Sequence, residues 1–255
     1  MIILLVIILV IIFFLINNYE NFSELTESQY IDYNVIHMKS SCNKKSNINK
    51  QMKKLNKYIH IFDAIIGKNI TNLGKYDKNI KLNYKFKTKA ELGCYLSHLM
   101  LIKKAISSDK KYTVVFEDDF KIVTKDLNTK ILDITRKLDD NFDIIFLGNL
   151  YEIKSEKIID NIYKKSNIIP LVGTHALLIN NKNAEKIYKN LLNIDKPIDI
   201  ALDSLTNENK LTSYVIYPSL VIQDNKFDSS LRPSYQILRR DIIQKVLKTF
   251  NKLFD

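Results

Sequence analysis

Tyr112-Thr113-Val114-Val115-Phe116-Glu117-Asp118-Asp119 is the stretch on which the fold turns. Its first five residues are β-branched or aromatic, the composition of a strand buried inside a sheet. The strand stops abruptly at three consecutive carboxylates. Side chains alternate along a strand, so Glu117 and Asp119 are expected on one side and Asp118 on the other. Ligands of open α/β sheets gather at the carboxyl ends of strands. Two carboxylates facing one way there suit a hard divalent cation, Mg²⁺ or Mn²⁺, carrying a diphosphate. A solvated acidic turn is the plain alternative.

Upstream, Thr88-Lys89-Ala90-Glu91 is a capping box, which predicts a helix over 88–106. Leu92, Leu96, Leu99 and Lys103 form one stripe of it, with Glu91, Tyr95 and His98 on the adjacent stripe. Capping accounts for Glu91, and His98 on a mostly apolar helix reads first as a hydrogen-bonded core histidine. Nearer the start, 33–38 is the first soluble strand, 39–46 a polar turn, 48–57 a helix and 58–66 a second strand. That order predicts an α/β sheet. Residues 67–87 are polar and aperiodic, a loop.

Downstream, the pattern predicts a helix over 129–138 and a buried strand over 142–149, while 151–167 is ambiguous. Gly173-Thr174-His175-Ala176 opens a strand through glycine, a common mark of a bend or of a ligand's close approach. A helix over 182–192 follows. Pro197-Ile198-Asp199 and Asp203 place two carboxylates at helical spacing, facing one way. Asp199 also suits a helix N-terminus. A short strand over 213–217 precedes 218–224.

The chain has 255 residues, 46% of them hydrophobic, enough for a sizeable core in one large domain or two small ones. Its 39 basic and 28 acidic residues leave a net charge of +11. Only Arg136, Arg232, Arg239 and Arg240 are arginines, and the lysines are spread along the chain. Nucleic-acid readers cluster both types on one face, so no nucleic acid is expected as a partner. Anionic donors or a membrane surface suit the charge equally. Cys42 and Cys94 are the only cysteines, too few for a disulfide scaffold or a four-ligand zinc site.

Residues 2–16 are uninterrupted Ile, Leu, Val and Phe. That run is shorter than the ~20 residues of an ideal membrane span, although Asn17, Asn18 and Tyr19 extend it. No Lys or Arg precedes it and no small-residue cleavage site follows, which disfavours a cleaved signal peptide. The expected organisation is an N-terminal hydrophobic anchor helix (or uncleaved signal) over 1–19, a stem over 20–32, a catalytic domain over 33–235 and a basic amphipathic helix over 236–255. The protein is therefore expected to be membrane-associated by a single pass, with orientation left open by the lack of flanking charge.

Four separated pieces then fall into one pattern. Ala90-Glu91-Leu92-Gly93-Cys94-Tyr95-Leu96-Ser97-His98, Val115-Phe116-Glu117-Asp118-Asp119, Gly173-Thr174-His175-Ala176 and Pro197-Ile198-Asp199 resemble, in that order, motifs of glycosyltransferase family 25. That family includes bacterial lipooligosaccharide galactosyltransferases and animal collagen galactosyltransferases. The resemblance spans roughly 33–232. It implies a GT-A-like nucleotide-sugar-binding sheet flanked by helices, and a UDP-sugar donor, with galactose the sugar it suggests. A glycan, lipooligosaccharide or protein hydroxyl is the implied acceptor.

The resemblance also implies Mn²⁺ or Mg²⁺ held by Glu117 and Asp119, with Asp119 the main ligand. Glu117 is expected on the metal, its waters or the donor ribose, and Asp118 is expected to orient the loop. Ser97, His98, Gly173, Thr174 and Gln223 are the other expected donor-pocket residues. The family is regarded as inverting, so a general base must deprotonate the acceptor hydroxyl. Asp199 is the first candidate, Asp203 the second, and His175 the third, since imidazole titrates near neutrality. One departure stands out. The family usually opens with a strand ending in Asn-Leu and an arginine-rich turn; here the strand reads Val35-Ile36-His37-Met38-Lys39, and the turn carries Lys44 and Lys45 without arginine. Two other readings remain open: a metal-dependent phospho- or nucleotidyltransferase, which lacks its glycine-rich phosphate loop here, and a decayed, membrane-attached binding protein.

Overall fold

The computed structural model describes residues 30–86, 88–150, 155–165, 170–224 and 226–227. The expected anchor at 1–19 and the amphipathic segment at 236–255 lie outside those residues. Among the described residues no helix is long and apolar enough to cross a membrane.

The first half of the chain runs β1 (Ile31–His37), α1 (Cys42–Leu55), β2 (His60–Asp63), β3 (Lys81–Leu82), α2 (Lys89–Ile106), β4 (Tyr112–Glu117), β5 (Phe120–Ile122) and α3 (Leu127–Lys137). The second half runs β6 (Ile144–Phe146), β7 (Lys157–Ile159), β8 (Ile162–Lys164), β9 (Ala176–Asn180), α4 (Ala184–Leu191), β10 (Asn193–Ile194), α5 (Ile198–Asn207), β11 (Ser213–Ile216) and β12 (Val221–Gln223). Among the described residues the main sheet has eight strands in the order β2-β1-β4-β9-β6-β11-β8-β7. β4 and β2 flank β1 in parallel, and β6 pairs in parallel with β11. β9 enters between β4 and β6 and runs against both. The ambiguous stretch resolves into the antiparallel pair β7–β8 at one edge.

Alternation along the central strands builds a core on each face. Val114 and Phe116 of β4 pack on one side with Tyr33, Val35, Ile48 of α1 and Ile131 of α3. Val115 packs on the other with Leu96 and Leu99 of α2, Ile187 of α4 and Leu202 of α5. Helices thus cover both faces of a mixed sheet, the α/β arrangement expected. Fully burying each such side chain contributes about 1.5–3 kcal/mol.

Helix α2 starts where the sequence places it. Thr88 caps it, with its hydroxyl accepting from the Glu91 N–H at 3.3 Å. Its first turns hold the 65–67 segment at backbone contact. A Cβ added at Gly93 would lie 2.2 Å from the Ile65 carbonyl oxygen, and one at Gly67 would lie 1.6 Å from the Lys89 carbonyl oxygen. Ser97 completes the junction, accepting from the Ile65 N–H at 2.9 Å and donating to the Gly93 carbonyl at 2.8 Å. Gly93→Ala should therefore destabilise the protein by about 1–3 kcal/mol, the usual cost of overpacking. Thermal melting should show a fall of several degrees; an unchanged midpoint would mean that the 65–67 segment moves aside freely.

Candidate functional site

A cavity of ≈ 560 Å³ opens at the carboxyl ends of β1, β2 and β4, within the size range of small-molecule sites. The alternation expected over 117–119 stops with the strand. β4 ends at Glu117 and a turn follows, so Glu117, Asp118 and Asp119 all line the cavity. Two buried rings brace this turn: Phe116 before it and Phe120 after it stack 4.3 Å apart. From α1, the Asn47 amide donates to the Asp118 and Phe120 carbonyls at 3.3 and 2.8 Å. Gln51 accepts from the Ile122 N–H at 3.1 Å.

Each carboxylate has its own surroundings. Glu117 accepts from the Thr174 hydroxyl at 2.6 Å and from His98 Nε2 at 3.2 Å. Burial opposes its ionisation, but the hydrogen bonds from His98 and Thr174 and the nearby imidazoles outweigh that and pull it down to about 2. Asp118 turns toward the first loop. It accepts from His37 Nδ1 at 3.1 Å, from the Met38 N–H at 3.2 Å and from Lys44 Nζ at 2.7 Å.

Asp119 is compensated least. Gln223 donates to its Oδ2 at 2.9 Å, and Lys44 stands 3.8 Å away. Its Oδ1 is buried and accepts no hydrogen bond among the described residues. Burial and the charge of Glu117 push it up to about 6, against Lys44 and Gln223. Burial pulls Lys44 down, yet Asp119, Asp118 and Glu117 outweigh it and hold its ammonium above its usual range. The donor set fits a hard divalent cation, which would satisfy Asp119 Oδ1 and relieve its repulsion with Glu117.

β9 brings the opposite wall. Because it runs against β4, its entry lies beside the end of β4, and the Glu117 N–H donates to the His175 carbonyl at 3.1 Å. Gly173, Thr174 and His175 therefore line the same cavity as the acidic turn. Gly173 takes φ +94°, a conformation that favours glycine. His175 Nε2 lies 3.3 Å from the Val221 carbonyl, which can only accept, so the ring donates there. Gln223 arrives by another ladder: β12 pairs with β5, setting Gln223 opposite Phe120.

The two aspartates of α5 do share a face, but at different depths. Asp199 lines the cavity and its Oδ2 accepts from the Gly173 N–H at 3.3 Å. Asp203 sits behind the cavity wall, where it accepts from the Leu171 N–H at 2.7 Å and from Lys165 Nζ at 2.9 Å. Ser97 and His98 are buried at the cavity's edge, with Ser97 holding the 65–67 segment and His98 holding Glu117.

Sequence alone marks Lys44 only as a lysine in an arginine-free turn and His37 only as part of an atypical first strand, and it gives Asn47 and Gln51 no role. Polar residues facing an apolar stripe of α1 were the available signal for Asn47 and Gln51. Their spacing of four matches their own bond, Gln51 Nε2 to Asn47 Oδ1 at 3.1 Å.

Comparison with known proteins adds a name for this pattern. A family model described as glycosyltransferase family 25 (LPS biosynthesis protein) matches residues 31–205. A Haemophilus influenzae protein named as a glycosyltransferase is 27% identical over 243 residues, covering 86% of this chain and 83% of that protein. The lipooligosaccharide biosynthesis protein lic2B of Haemophilus influenzae is 27% identical over 213 residues, covering 77% of each. Among solved structures, the apo form of mouse xyloside xylosyltransferase 1 aligns with a TM-score of 0.44 at 8% identity, over 74% of this chain and 73% of that one. At that score the likeness says nothing about the site.

The raised Asp119 has a measurable consequence for the metal-free protein. A carboxyl at about 6 in the fold against about 3.9 unfolded binds its proton more tightly when folded, so stability falls as pH rises from about 4 through about 6. Asp119→Asn removes that penalty. In chelator-treated protein it should be more stable than wild type at pH 7.5, by up to about 3 kcal/mol, and most of the advantage should be gone by about pH 4. A variant less stable than wild type at pH 7.5 would show that Asp119 is well compensated.

Proposed function

Because the chain belongs to glycosyltransferase family 25, sugar transfer is its chemistry, and we propose that it moves galactose from UDP-galactose to a glycan hydroxyl. A lipooligosaccharide acceptor is favoured by the name of one relative. Sugar transfer takes precedence over phospho- or nucleotidyl transfer because the family model and the Haemophilus influenzae relative named as a glycosyltransferase agree on it. The sheet with its acidic strand end is read as a GT-A-like nucleotide-sugar site. The observation that carries the donor assignment is the uncompensated Asp119 Oδ1 in a cavity that also holds Glu117, Asp118 and an ammonium.

Asp119 is the main ligand for Mn²⁺ or Mg²⁺ in this proposal, with Glu117 on the metal, its waters or the donor ribose. Such an ion supplies charge stabilisation to the departing nucleoside diphosphate. Lys44 supports the same end from the protein. Its ammonium sits at the cavity beside Asp118 and Asp119, placed to meet a phosphate oxygen. It stands where the family's first turn usually carries arginine. Lysine meets phosphate as a point charge and lacks the arginine fork.

Asp199 is proposed to take the proton from the acceptor hydroxyl. The Gly173 N–H holds Oδ2 from behind, and the first turn of α5 favours a negative charge. Asp203 acts as a positioning residue, fixing the 171–173 segment through Leu171 and Lys165. His175 is the alternative base. The apolar run at 2–16 is proposed to hold the enzyme at a membrane, where lipid-linked acceptors are found.

The first measurement is a panel of nucleotide sugars screened for Mn²⁺-stimulated donor hydrolysis. UDP-galactose should give the highest rate, and the absence of stimulation with every donor would overturn the metal and donor assignment. Asp119→Asn should lower metal-dependent turnover on the order of a thousandfold, since a bound ion is worth several kcal/mol. For the base, Asp199→Asn should lower transfer by about 10²–10⁴. It should also erase the acidic limb of the pH–rate profile, where a base must lose its proton to work. Retention of that limb would move the role to His175.

A further inference from the structure

Glu117 also belongs to a second grouping, one that sugar transfer leaves unused. Cys94 and His98 lie one helical turn apart on α2, and both line the cavity. Cys94 Sγ, a ring nitrogen of His98 and a Glu117 carboxylate oxygen all lie within 4.8 Å of one another. We propose that Cys94, His98 and Glu117 form a binding site for a thiophilic divalent cation, Zn²⁺ foremost, with the ion's fourth position open to the cavity.

The distances suit that ion. Tetrahedral zinc with bonds of about 2.0–2.3 Å holds its ligand atoms roughly 3.3–3.6 Å apart. His98 Nε2 and Glu117 Oε1 are already 3.2 Å apart. Cys94 Sγ has at most about one ångström to close to meet tetrahedral spacing, and its side chain has a single torsion to adjust. The spacing of four on α2 fixes the sulfur and the imidazole on one face. One sulfur, one imidazole nitrogen and one carboxylate oxygen make a borderline-soft donor set. The oxygen donors at Asp119 make a hard one. Three protein ligands with a fourth position open is the pattern of an accessible zinc site, since closed structural sites use four.

The protons balance simply. On binding, the thiol proton leaves to solvent, the Nε2 proton that His98 gives Glu117 is also displaced so that the imidazole binds through Nε2 with its remaining proton on Nδ1, and Glu117 is already ionised. Without metal, burial and the carboxylates Glu117, Asp199 and Asp119 keep Cys94 protonated. A dication reverses that local field. The site rests on these three side chains and stands whether or not UDP-galactose is the donor. It shares Glu117 with the proposed donor metal, so the soft and hard ions draw on one carboxylate.

The full-length protein titrated with Co²⁺, as a spectroscopic substitute for Zn²⁺, tests this. One equivalent should produce a thiolate-to-cobalt charge-transfer band, and Zn²⁺ should abolish it. Cys94→Ser should lose the band. It should also weaken Zn²⁺ binding, measured by chelator competition, by at least the roughly 10–100-fold that outer-shell changes cost. Circular dichroism checks that this variant is folded, with Cys94→Ala as the substitute if it is not. Cys42→Ser should keep the band. Asp119→Asn should also keep it while losing Mn²⁺ binding, which separates this site from the donor metal. The proposal is overturned if the folded wild type gives no thiolate band, if the band survives loss of the Cys94 thiol, or if it disappears in Asp119→Asn or Cys42→Ser.

Discussion

Three consecutive carboxylates are held at the mouth of a cavity, and their mutual repulsion is the constraint that the surrounding structure answers. Like charges a few ångströms apart in a partly desolvated site repel by several kcal/mol unless each is met by donors or cations. Each carboxylate is met from a different direction. α2 and the entry of β9 supply His98 and Thr174 to Glu117. The end of β1 and the start of α1 supply His37, the Met38 N–H and Lys44 to Asp118. β12 supplies Gln223 to Asp119. Elements far apart in sequence converge on the turn because no short segment could neutralise it alone.

The answer is uneven, and the unevenness is informative. Two carboxylates end up with opposite tendencies, Glu117 firmly ionised and Asp119 holding its proton to about 6. Environments that push neighbouring acids apart are a common arrangement at chemically active sites. Ion-pair networks built only for stability usually leave every oxygen matched. Here the deficit sits on one buried oxygen of Asp119, a residue that lines the cavity.

Much of this could be read from the chain, and the reason is locality. A strand's composition, a capping box and an i, i+4 pair each depend on neighbours in sequence, so β4, α2 and the shared face of Asp199 and Asp203 were legible. Depth was not. Spacing says that Asp199 and Asp203 point one way but not that the second lies behind the 171–173 backbone, occupied by Lys165. Strand alternation likewise failed at Asp118, expected on the opposite side yet lining the same cavity, because it holds only while the strand lasts, and β4 ends at Glu117. Lys44 was invisible as a site residue because its partners stand 74 residues away in sequence. The antiparallel entry of β9, which decides that Thr174 meets Glu117, is a fact of topology that no local pattern encodes.

That strand order has a consequence in time. β4 must settle between β1, some 80 residues earlier, and β9, some 60 residues later, before the acidic turn has walls on both sides. Pairings this distant carry a loop-closure cost that is met before the contacts form, which slows folding. Gln223 comes later still, from the last described strand. During synthesis the acidic turn emerges after His37, Lys44 and His98 but well before Thr174 and Gln223, so its partners arrive in two instalments. Asp119 therefore gains its last protein partner only after nearly the whole domain has been made.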